Sequence, residues 1–455
     1  MAFLDDKYLL TNPSAREIFK EIKNLPILDA HNHANVKEIA DNENYTDIWQ
    51  VEGATDHYVW ELMRKRGIKE EAITGKTTNE EKWSTLASVF EEFAGNPTYE
   101  WIHLDLQRRF GITDLINKNN AKKIWDETRE KLKEPGMKPL ALLKEMKVEV
   151  MCSTDDPVDM LEHHAKLAKM DGIPRILPTW RPDKSMNIFK DEFVGYIEKL
   201  GARVDKKISS ITELVDTLQE TRDHFEKLGC KATDHGVQTP FGYNVTESRA
   251  NAVFQKRLKG EPVDDVEARD YMSYMMHVFA RMNAESGWVM QIHIGAVRDV
   301  RDVLYESLGP DTGGDVSDHL IEILAPIKDL LNAFDGKLKV VLYCLDPNHA
   351  PTLATITRAF GSTVNLGSAW WYNDSPTGMK RQLEYIATVD LLMNFAGMVT
   401  DSRKLISYGS RTEMFRRVLS DVFGEMVEKG QVPFELAKKT AKYICYEGPK
   451  VLFGF

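Results

Sequence analysis

The chain has 455 residues, of which 42% are hydrophobic, and a formal net charge of −11. This composition allows a large buried core, whereas the acidic balance argues against a nucleic acid as the principal partner, since a polyanion requires a basic face. No window approaches eighteen uncharged apolar residues, and residues 1–7 are acidic without an apolar leader, so we expect no membrane insertion and a cytoplasmic location.

The predicted elements begin with a capped helix, for which Asn12 or Ser14 is the candidate N-cap. A short apolar strand follows at 26–33. Residues 36–145 then show only helical patterns, at 56–66, 79–93, 97–110, 119–133 and 138–147. We therefore expect a catalytic domain formed by 1–35 and 146–455, and a helical insertion over 36–145.

Seven further apolar runs follow, at 148–156, 175–183, 230–236, 288–295, 339–346, 363–371 and 397–403. Helical patterns separate them, for example at 193–200, 211–228, 268–286, 319–333 and 379–393. Near-continuous apolar strands that alternate with helices are typical of a parallel sheet covered on both faces, and eight of them predict a (β/α)8 barrel. A doubly wound sheet is the alternative, but no G-x-G-x-x-G loop follows a strand.

The first strand ends in His31 and His33. Because side chains alternate along a strand, both imidazoles face the same way, which is a spacing suited to zinc-like ions. The alternative is that one or both are ordinary polar groups at a strand end. The last apolar run has the same design, since it ends in Asp401 and Arg403 on one face.

Polar side chains follow most of the other strands too, on the face where a barrel builds its active site. They are Asp155 and Asp156, Arg181, His235, His293, and Trp370 with Trp371. Taken singly, Asp155 and Asp156 before a proline favour a helix N-cap, and the two tryptophans are equally typical of a core. His163, His164 and His224 lie in helical patterns and are expected at the surface, whereas His349 is undecided.

A barrel whose first strand ends in His-x-His and whose eighth ends in Asp resembles the amidohydrolase superfamily, for which hydrolysis is the default. Six segments in order resemble, more closely, the uronate (glucuronate) isomerase family. They are LDAHNH at 28–33, CSTDDP at 152–157, RPD at 181–183, QIHIGAVR at 291–298, AWWYND at 369–374 and GMVTDSR at 397–403. The resemblance extends from about residue 3 to residue 455.

This resemblance implies interconversion of D-glucuronate with D-fructuronate, and of D-galacturonate with D-tagaturonate, in hexuronate catabolism. The substrate is then a small hexuronate, and we expect a homo-oligomer. His57 and Tyr58 resemble a family segment that reaches the substrate from the insertion. At 407–417 the usual histidine of the family is absent and Thr412 takes its place, so no catalytic role is assigned there.

An aldose–ketose isomerisation requires a base, an electrophile and an anchor for the substrate carboxylate. Asp401 is the candidate base, with Tyr58 and His57 in reserve. Arg181 and Arg403 can pair with a carboxylate or an enediolate. His293 and Trp371 complete the predicted substrate-binding set.

His31, His33 and Asp401 are the predicted ligands of a divalent metal, with zinc as the first choice. Isomerisation needs no activated water, so catalysis need not depend on the metal, and Asp401 cannot freely be both tight ligand and base. Two other functions stay open: a metal-dependent hydrolase of a C–N or lactone bond, and an inactive sugar-acid binding protein. Neither explains two arginines at the site as well.

Overall fold

The structure is a computed structural model that describes residues 3–455, so the first two residues of the predicted 1–35 segment lie outside it. The described residues form nine strands. They are β1 (Ile27–Asp29), β2 (Val148–Cys152), β3 (Arg175–Leu177), β4 (Ala232–Val237), β5 (Val289–Ile294), β6 (Ala296–Val297), β7 (Val316–Ser317), β8 (Lys339–Cys344) and β9 (Val364–Leu366).

Seven of these strands run parallel in two sheets, in the orders β1-β2-β3 and β4-β5-β8-β9. Each corresponds to one of the predicted apolar runs. The register pairs Asp234 with Gln291 and His293 with Tyr343, so these positions stand side by side. The short strands β6 and β7 pair antiparallel and were not predicted.

The eighth predicted strand, 397–403, is not a strand in the structure. Gly397 has a φ of +98° and Asp401 a φ of +48°, values outside the extended region, so regular strand geometry is interrupted at two points. Residues 396–402 still form backbone hydrogen bonds with both neighbouring segments. The Ala396 amide donates to the Leu366 carbonyl at 3.0 Å, and the Asp401 amide donates to the His31 carbonyl at 3.2 Å.

The two parallel sheets also meet at Trp180, which forms isolated parallel bridges with Asp155 and Thr233. The Trp180 amide donates to the Ala232 carbonyl at 3.3 Å, and the Asp234 amide donates to the Trp180 carbonyl at 3.1 Å. Backbone hydrogen bonds therefore connect the end of the first sheet with the start of the second.

Twenty-one α-helices accompany the strands in the described residues. They are α1 (Pro13–Ile22), α2 (Val36–Asp41), α3 (Ile48–Glu52), α4 (His57–Lys65), α5 (Asn79–Val89), α6 (Pro97–Asp105), α7 (Ala121–Leu132), α8 (Pro139–Glu145), α9 (Glu162–Leu167), α10 (Asp183–Met186), α11 (Phe193–Arg203), α12 (Ile211–Lys227), α13 (Glu247–Leu258), α14 (Asp265–Ser286), α15 (Asp302–Leu308), α16 (Leu324–Ala333), α17 (Ala350–Phe360), α18 (Pro376–Val389), α19 (Tyr408–Glu428), α20 (Phe434–Lys442) and α21 (Gly448–Phe453). No helix among the described residues is long and apolar enough to cross a bilayer.

The helical predictions match this list closely. The segment between β1 and β2 contains α2 to α8 and no strand, and α1 is capped by Asn12, whose side chain accepts from the Ala15 amide at 2.8 Å. The predicted N-cap at Asp155 and Asp156 is wrong, because α9 begins only at Glu162 and follows Leu161.

Because side chains alternate along a strand, the two faces of the first sheet belong to different hydrophobic clusters. Met151 and Ile176 pack outward with the helices of the 36–145 segment, whereas Val150 and Leu177 belong to a small inner cluster against which Phe455 packs. The Lys339 ammonium at the start of β8 donates to the Leu452 carbonyl at 3.1 Å. The C-terminal residues therefore cover the end where the strands begin, and the opposite end is left for a site.

Candidate active site

A cavity of about 440 Å³ lies where the parallel strands end, a size typical of small-molecule sites. Its walls carry both signs of charge together with histidines and tryptophans. The lining residues include His31, His33, His57, Asp155, Arg181, Asp183, His293, Arg298, Asp311, Trp370, Trp371, Asp401 and Arg403. Eight of the nine residues assigned to the site from the sequence therefore share one cavity, the exception being Tyr58.

Asp401 is held by three side chains. One carboxylate oxygen lies 3.0 Å from His31 Nε2 and 3.2 Å from His33 Nε2, and the other accepts from Trp370 Nε1 at 2.9 Å. Burial raises the pKa of Asp401, but the hydrogen bonds and charges of the two histidines outweigh it and hold that pKa well below its usual range. Asp401 is therefore ionised throughout the neutral range.

Asp234 forms a second, fully buried layer beneath the cavity. Its carboxylate lies 2.7 Å from His293 Nδ1, 3.1 Å from Arg181 Nη1 and 3.9 Å from His31 Nδ1. Burial raises the pKa of Asp234, and the charge of Arg181 more than reverses this, so that the pKa falls well below normal. One carboxylate thus orients three side chains of the site.

The two histidines beside Asp234 respond differently to this environment. Burial lowers the pKa of His31, but the charges of Asp234 and Asp401 raise it above its usual value. Burial dominates for His293 and lowers its pKa to about 4. His293 is therefore a neutral imidazole at pH 7, and its Nε2 has no hydrogen-bond partner among the described residues.

Arg181 lies across the end of β4. Its Nε donates to Asp183 Oδ2 at 2.9 Å, and the same oxygen accepts from the Gly236 amide at 2.9 Å. A Cβ at Gly236 would collide with the Arg181 guanidinium, so glycine is required for this close approach. Arg181 is thus fixed on two carboxylates, those of Asp183 and Asp234.

Arg403 is less constrained. Its Nη2 lies 3.6 Å from Asp311 Oδ1, and Asp311 belongs to the long connection between β5 and β8. Arg298 of the same connection lies 3.6 Å from Asp311 and 2.7 Å from Asp315. Burial raises the pKa of Asp311, but Arg403 and Arg298 together lower it below its usual range. This connection therefore forms one wall of the cavity.

His57 and Trp371 form a stacked pair at the cavity wall, with ring centroids 5.5 Å apart and planes 3° from parallel. Burial and the charge of Arg403 lower the pKa of His57 to about 4. Tyr58 is not among the lining residues. Its hydroxyl is enclosed without a partner among the described residues, and burial raises its pKa well above normal.

Two sequence interpretations are corrected by the structure. His235 does not face the cavity: its ring stacks on Phe279 of α14, with centroids 5.3 Å apart, because alternation turns Asp234 and not His235 toward the site. His164 is buried rather than exposed, and its Nε2 lies 2.8 Å from Ser153 Oγ. Thr412 lies in α19 and is not among the lining residues.

Asp155 lines the cavity instead of capping a helix. It accepts from Ser153 Oγ at 2.7 Å, and burial raises its pKa to about 7. The sequence placed Asp155 on the active-site face but favoured a helix N-cap for it, and sequence reasoning missed Asp234, Asp311 and the contribution of Arg298. Only the register of β4 with β5, which pairs Asp234 with Gln291, indicates that Asp234 and not His235 faces the cavity.

His31, His33 and Asp401 bring three possible metal-ligand atoms within 4.8 Å of one another. Two imidazole nitrogens and one carboxylate oxygen are donors that suit zinc, and the observed separations of 3.0 and 3.2 Å are close to the distance of about 3.3 Å between neighbouring ligands of a tetrahedral ion. These residues fit a divalent metal. His31, Asp234 and His293 form a second such group that shares His31.

Parallel strands that bring ionised carboxylates, arginines and neutral histidines into one cavity define an α/β enzyme for a small acidic molecule. Comparison with known proteins gives the family. A family model described as glucuronate isomerase matches residues 1–453, and a uronate isomerase of Thermotoga sp. is 54% identical over 451 residues, 99% of each chain. The chain belongs to the glucuronate isomerase family.

Two solved structures agree with this assignment. The crystal structure of uronate isomerase from Thermotoga maritima is 54% identical, with a TM-score of 0.98 and 100% of both chains covered. That of glucuronate isomerase from Caulobacter crescentus is 26% identical, with a TM-score of 0.95, covering 100% of this chain and 97% of the other. The resemblance found in the sequence is confirmed, and the hydrolase alternative is not favoured.

Proposed function

We propose that this chain is a uronate isomerase that interconverts D-glucuronate with D-fructuronate, and D-galacturonate with D-tagaturonate, in the cavity at the strand ends. The observation that carries the proposal is the set of charges in the cavity of about 440 Å³, where the ionised carboxylate of Asp401 shares the lining with Arg181 and Arg403. An open-chain uronate needs a proton acceptor near C2 and cations for its carboxylate and for the enediolate.

Arg403 is the proposed anchor for the C6 carboxylate. Its nearest carboxylate oxygen, on Asp311, is 3.6 Å away, which leaves its guanidinium fork available for a bidentate partner. Arg181 is already bound to Asp183 and Asp234. We assign it the role of a fixed positive charge that favours the developing enediolate.

Asp401 is the proposed base that takes the proton from C2 and returns it to C1. Its low pKa makes it a weak acceptor while both histidines hold it, so the transferred proton must be relayed or the contacts must loosen as substrate binds. His57 is the second candidate, because it is a neutral imidazole whose Nδ1 has no partner among the described residues. Tyr58 stays neutral at pH 7 and suits proton donation better than acceptance.

We propose that His31, His33 and Asp401 hold a divalent metal of the zinc class. When bound, such an ion would polarise a substrate oxygen as a Lewis acid. Asp401 would then be occupied as a ligand, which favours His57 as the base in the metal-loaded protein. His293 and Trp371 are the proposed substrate walls, the former through its free Nε2 and the latter through its ring.

We further propose that the catalytic part, 1–35 with 146–455, is a closed (β/α)8 barrel and that 36–145 is a helical insertion. Support comes from the hydrogen bonds of 396–402 to β9 and to the end of β1, and from the bridges of Trp180 between the two sheets. Together they connect eight extended segments in a ring. The cytoplasmic location and the homo-oligomeric state remain predictions from the sequence.

Incubation of the purified protein with D-glucuronate, followed by proton NMR, tests the proposed reaction. Appearance of a ketose at the expense of glucuronate, and regeneration of glucuronate from fructuronate, is the expected result. A folded protein that leaves both D-glucuronate and D-galacturonate unchanged, with and without added zinc, would overturn the proposal.

A further inference from the structure

A second group of metal-type donors lies apart from the active-site cavity. His319, Asp346 and His349 offer one possible ligand atom each, all within 4.8 Å of one another. His319 follows β7 in the connection between β5 and β8, whereas Asp346 and His349 follow β8 directly. None of the three is a lining residue of the cavity.

His349 is oriented as a ligand would be. It is only 8% exposed, and its Nε2 lies 3.1 Å from the carbonyl oxygen of His319. A carbonyl can only accept, so the proton of the neutral ring is on Nε2 and the lone pair is on Nδ1. That Nδ1 is buried and has no hydrogen-bond partner among the described residues. Histidines that bind metals characteristically donate their other N–H to such a carbonyl.

Asp346 is oriented in a similar way. One carboxylate oxygen accepts from the Asn348 amide at 2.8 Å and from the Asn348 side chain at 2.9 Å. The other oxygen lies 3.4 Å from His319 Nδ1, close to the edge of about 3.3 Å in a tetrahedral zinc site. A simple His319–Asp346 ion pair would explain this contact but would leave the buried nitrogen of His349 without a partner, which is costly.

We propose that His319, Asp346 and His349 form a second divalent-cation site, of the zinc class, that ties the β5–β8 connection to the end of β8. The side chain of His319 is 69% exposed, which provides an entry path and room for a water as fourth ligand. The same connection carries Arg298 and Asp311 of the cavity wall. The bound ion would therefore order one wall of the active site without touching substrate.

Zinc binding tests the proposal in a chain that lacks the first site. The His31→Ala, His33→Ala double variant is equilibrated with zinc chloride, dialysed, and its bound zinc is measured by mass spectrometry. We expect one equivalent per chain, lost on further replacement of His319 or His349 by Ala. His163→Ala, which removes a half-exposed histidine from α9, is the matched control and should retain the zinc.

Two results of the zinc measurement would overturn the proposal, provided that the variants fold. His319 is exposed, so its replacement should leave the fold intact, and circular dichroism checks this. Equal zinc content with and without His319 would overturn the proposal, as would a double variant that binds no zinc. Limited proteolysis adds a second readout. Zinc should slow cleavage within 298–323 in the His31→Ala, His33→Ala protein, but not in the protein that also carries His319→Ala. An equal effect of zinc on cleavage of the two proteins would refute the ordering role. Neither readout depends on isomerase activity, so the site can fail while the proposed function stands.

Discussion

Asp234→Asn is the substitution that tests the organisation of the site most severely. The amide has nearly the shape of the carboxylate but carries no charge. It removes the anion that lies 3.1 Å from Arg181 Nη1 and 2.7 Å from His293 Nδ1. Because Asp234 is fully buried, water cannot compensate for the loss of its charge.

The size of the effect follows from the remaining contacts. Breaking a buried ion pair by removing one partner costs roughly 3–5 kcal/mol of folding free energy. Arg181 retains Asp183 at 2.9 Å and is partly exposed, so we expect the lower end, about 3 kcal/mol. Loss of a group that orients His31 and His293 should also lower kcat/KM about 10–100-fold.

Urea unfolding followed by tryptophan fluorescence at pH 7 measures the first effect, and initial rates with D-glucuronate measure the second. Asp299→Asn is the matched control, because Asp299 lines the same cavity without a salt bridge among the described residues; it should change stability by less than about 0.5 kcal/mol. In a double-mutant cycle, Asp234→Asn should cost much less once Arg181 is Met. Equal costs in both backgrounds, or unchanged stability and activity, would refute the reasoning.

Two further predictions concern neighbouring side chains. The pKa of Asp155 rises from 3.8 to about 7 on folding, so its ionisation destabilises the native state as pH rises through that range. The free energy of unfolding of Asp155→Asn, relative to that of the parent, should therefore increase by up to about 4 kcal/mol between pH 3 and pH 8. A pH-independent difference between the urea midpoints of the two proteins would contradict this. Arg403→Ala should lower kcat/KM by a factor equivalent to about 2–5 kcal/mol, and Arg403→Lys should restore it only partly. The control is Lys184→Ala, which replaces a largely exposed lining residue and should have little effect. Equal kcat/KM values for all three variants would contradict the anchoring role of Arg403.

Elements of the fold with a strong local signal could be predicted from the sequence. Seven apolar runs became parallel strands because their nearly continuous apolar side chains suit burial on both faces of a sheet, and the helical patterns of 36–145 became α2 to α8. The run 397–403 carries the same apolar signal, but the positive φ of Asp401 depends on how the residue is held by His31, His33 and Trp370. No local pattern encodes that constraint.

The residues of the site likewise differ in whether the sequence alone could reveal them. His31, His33 and Asp401 could be found because their type and spacing suit a metal on their own. Asp234 could not, since Thr233, Asp234 and His235 are all polar and only pairing with β5 decides which faces inward. Asp311 reaches the cavity through a long connection, whose path depends on tertiary contacts. Its ion pairs with Arg298 and Arg403 are therefore visible only in the folded chain.

Isomerisation by the metal-free protein in deuterated water tests the central claim, proton transfer through Asp401, most directly, because a bound metal would occupy Asp401. A proton taken from C2 by a side chain exchanges with solvent before it is returned, so fructuronate formed from D-glucuronate should carry deuterium at C1. Asp401→Asn should abolish this incorporation, because an amide accepts a proton far less readily than a carboxylate. Product without solvent deuterium, or undiminished incorporation by Asp401→Asn, would contradict the role assigned to Asp401.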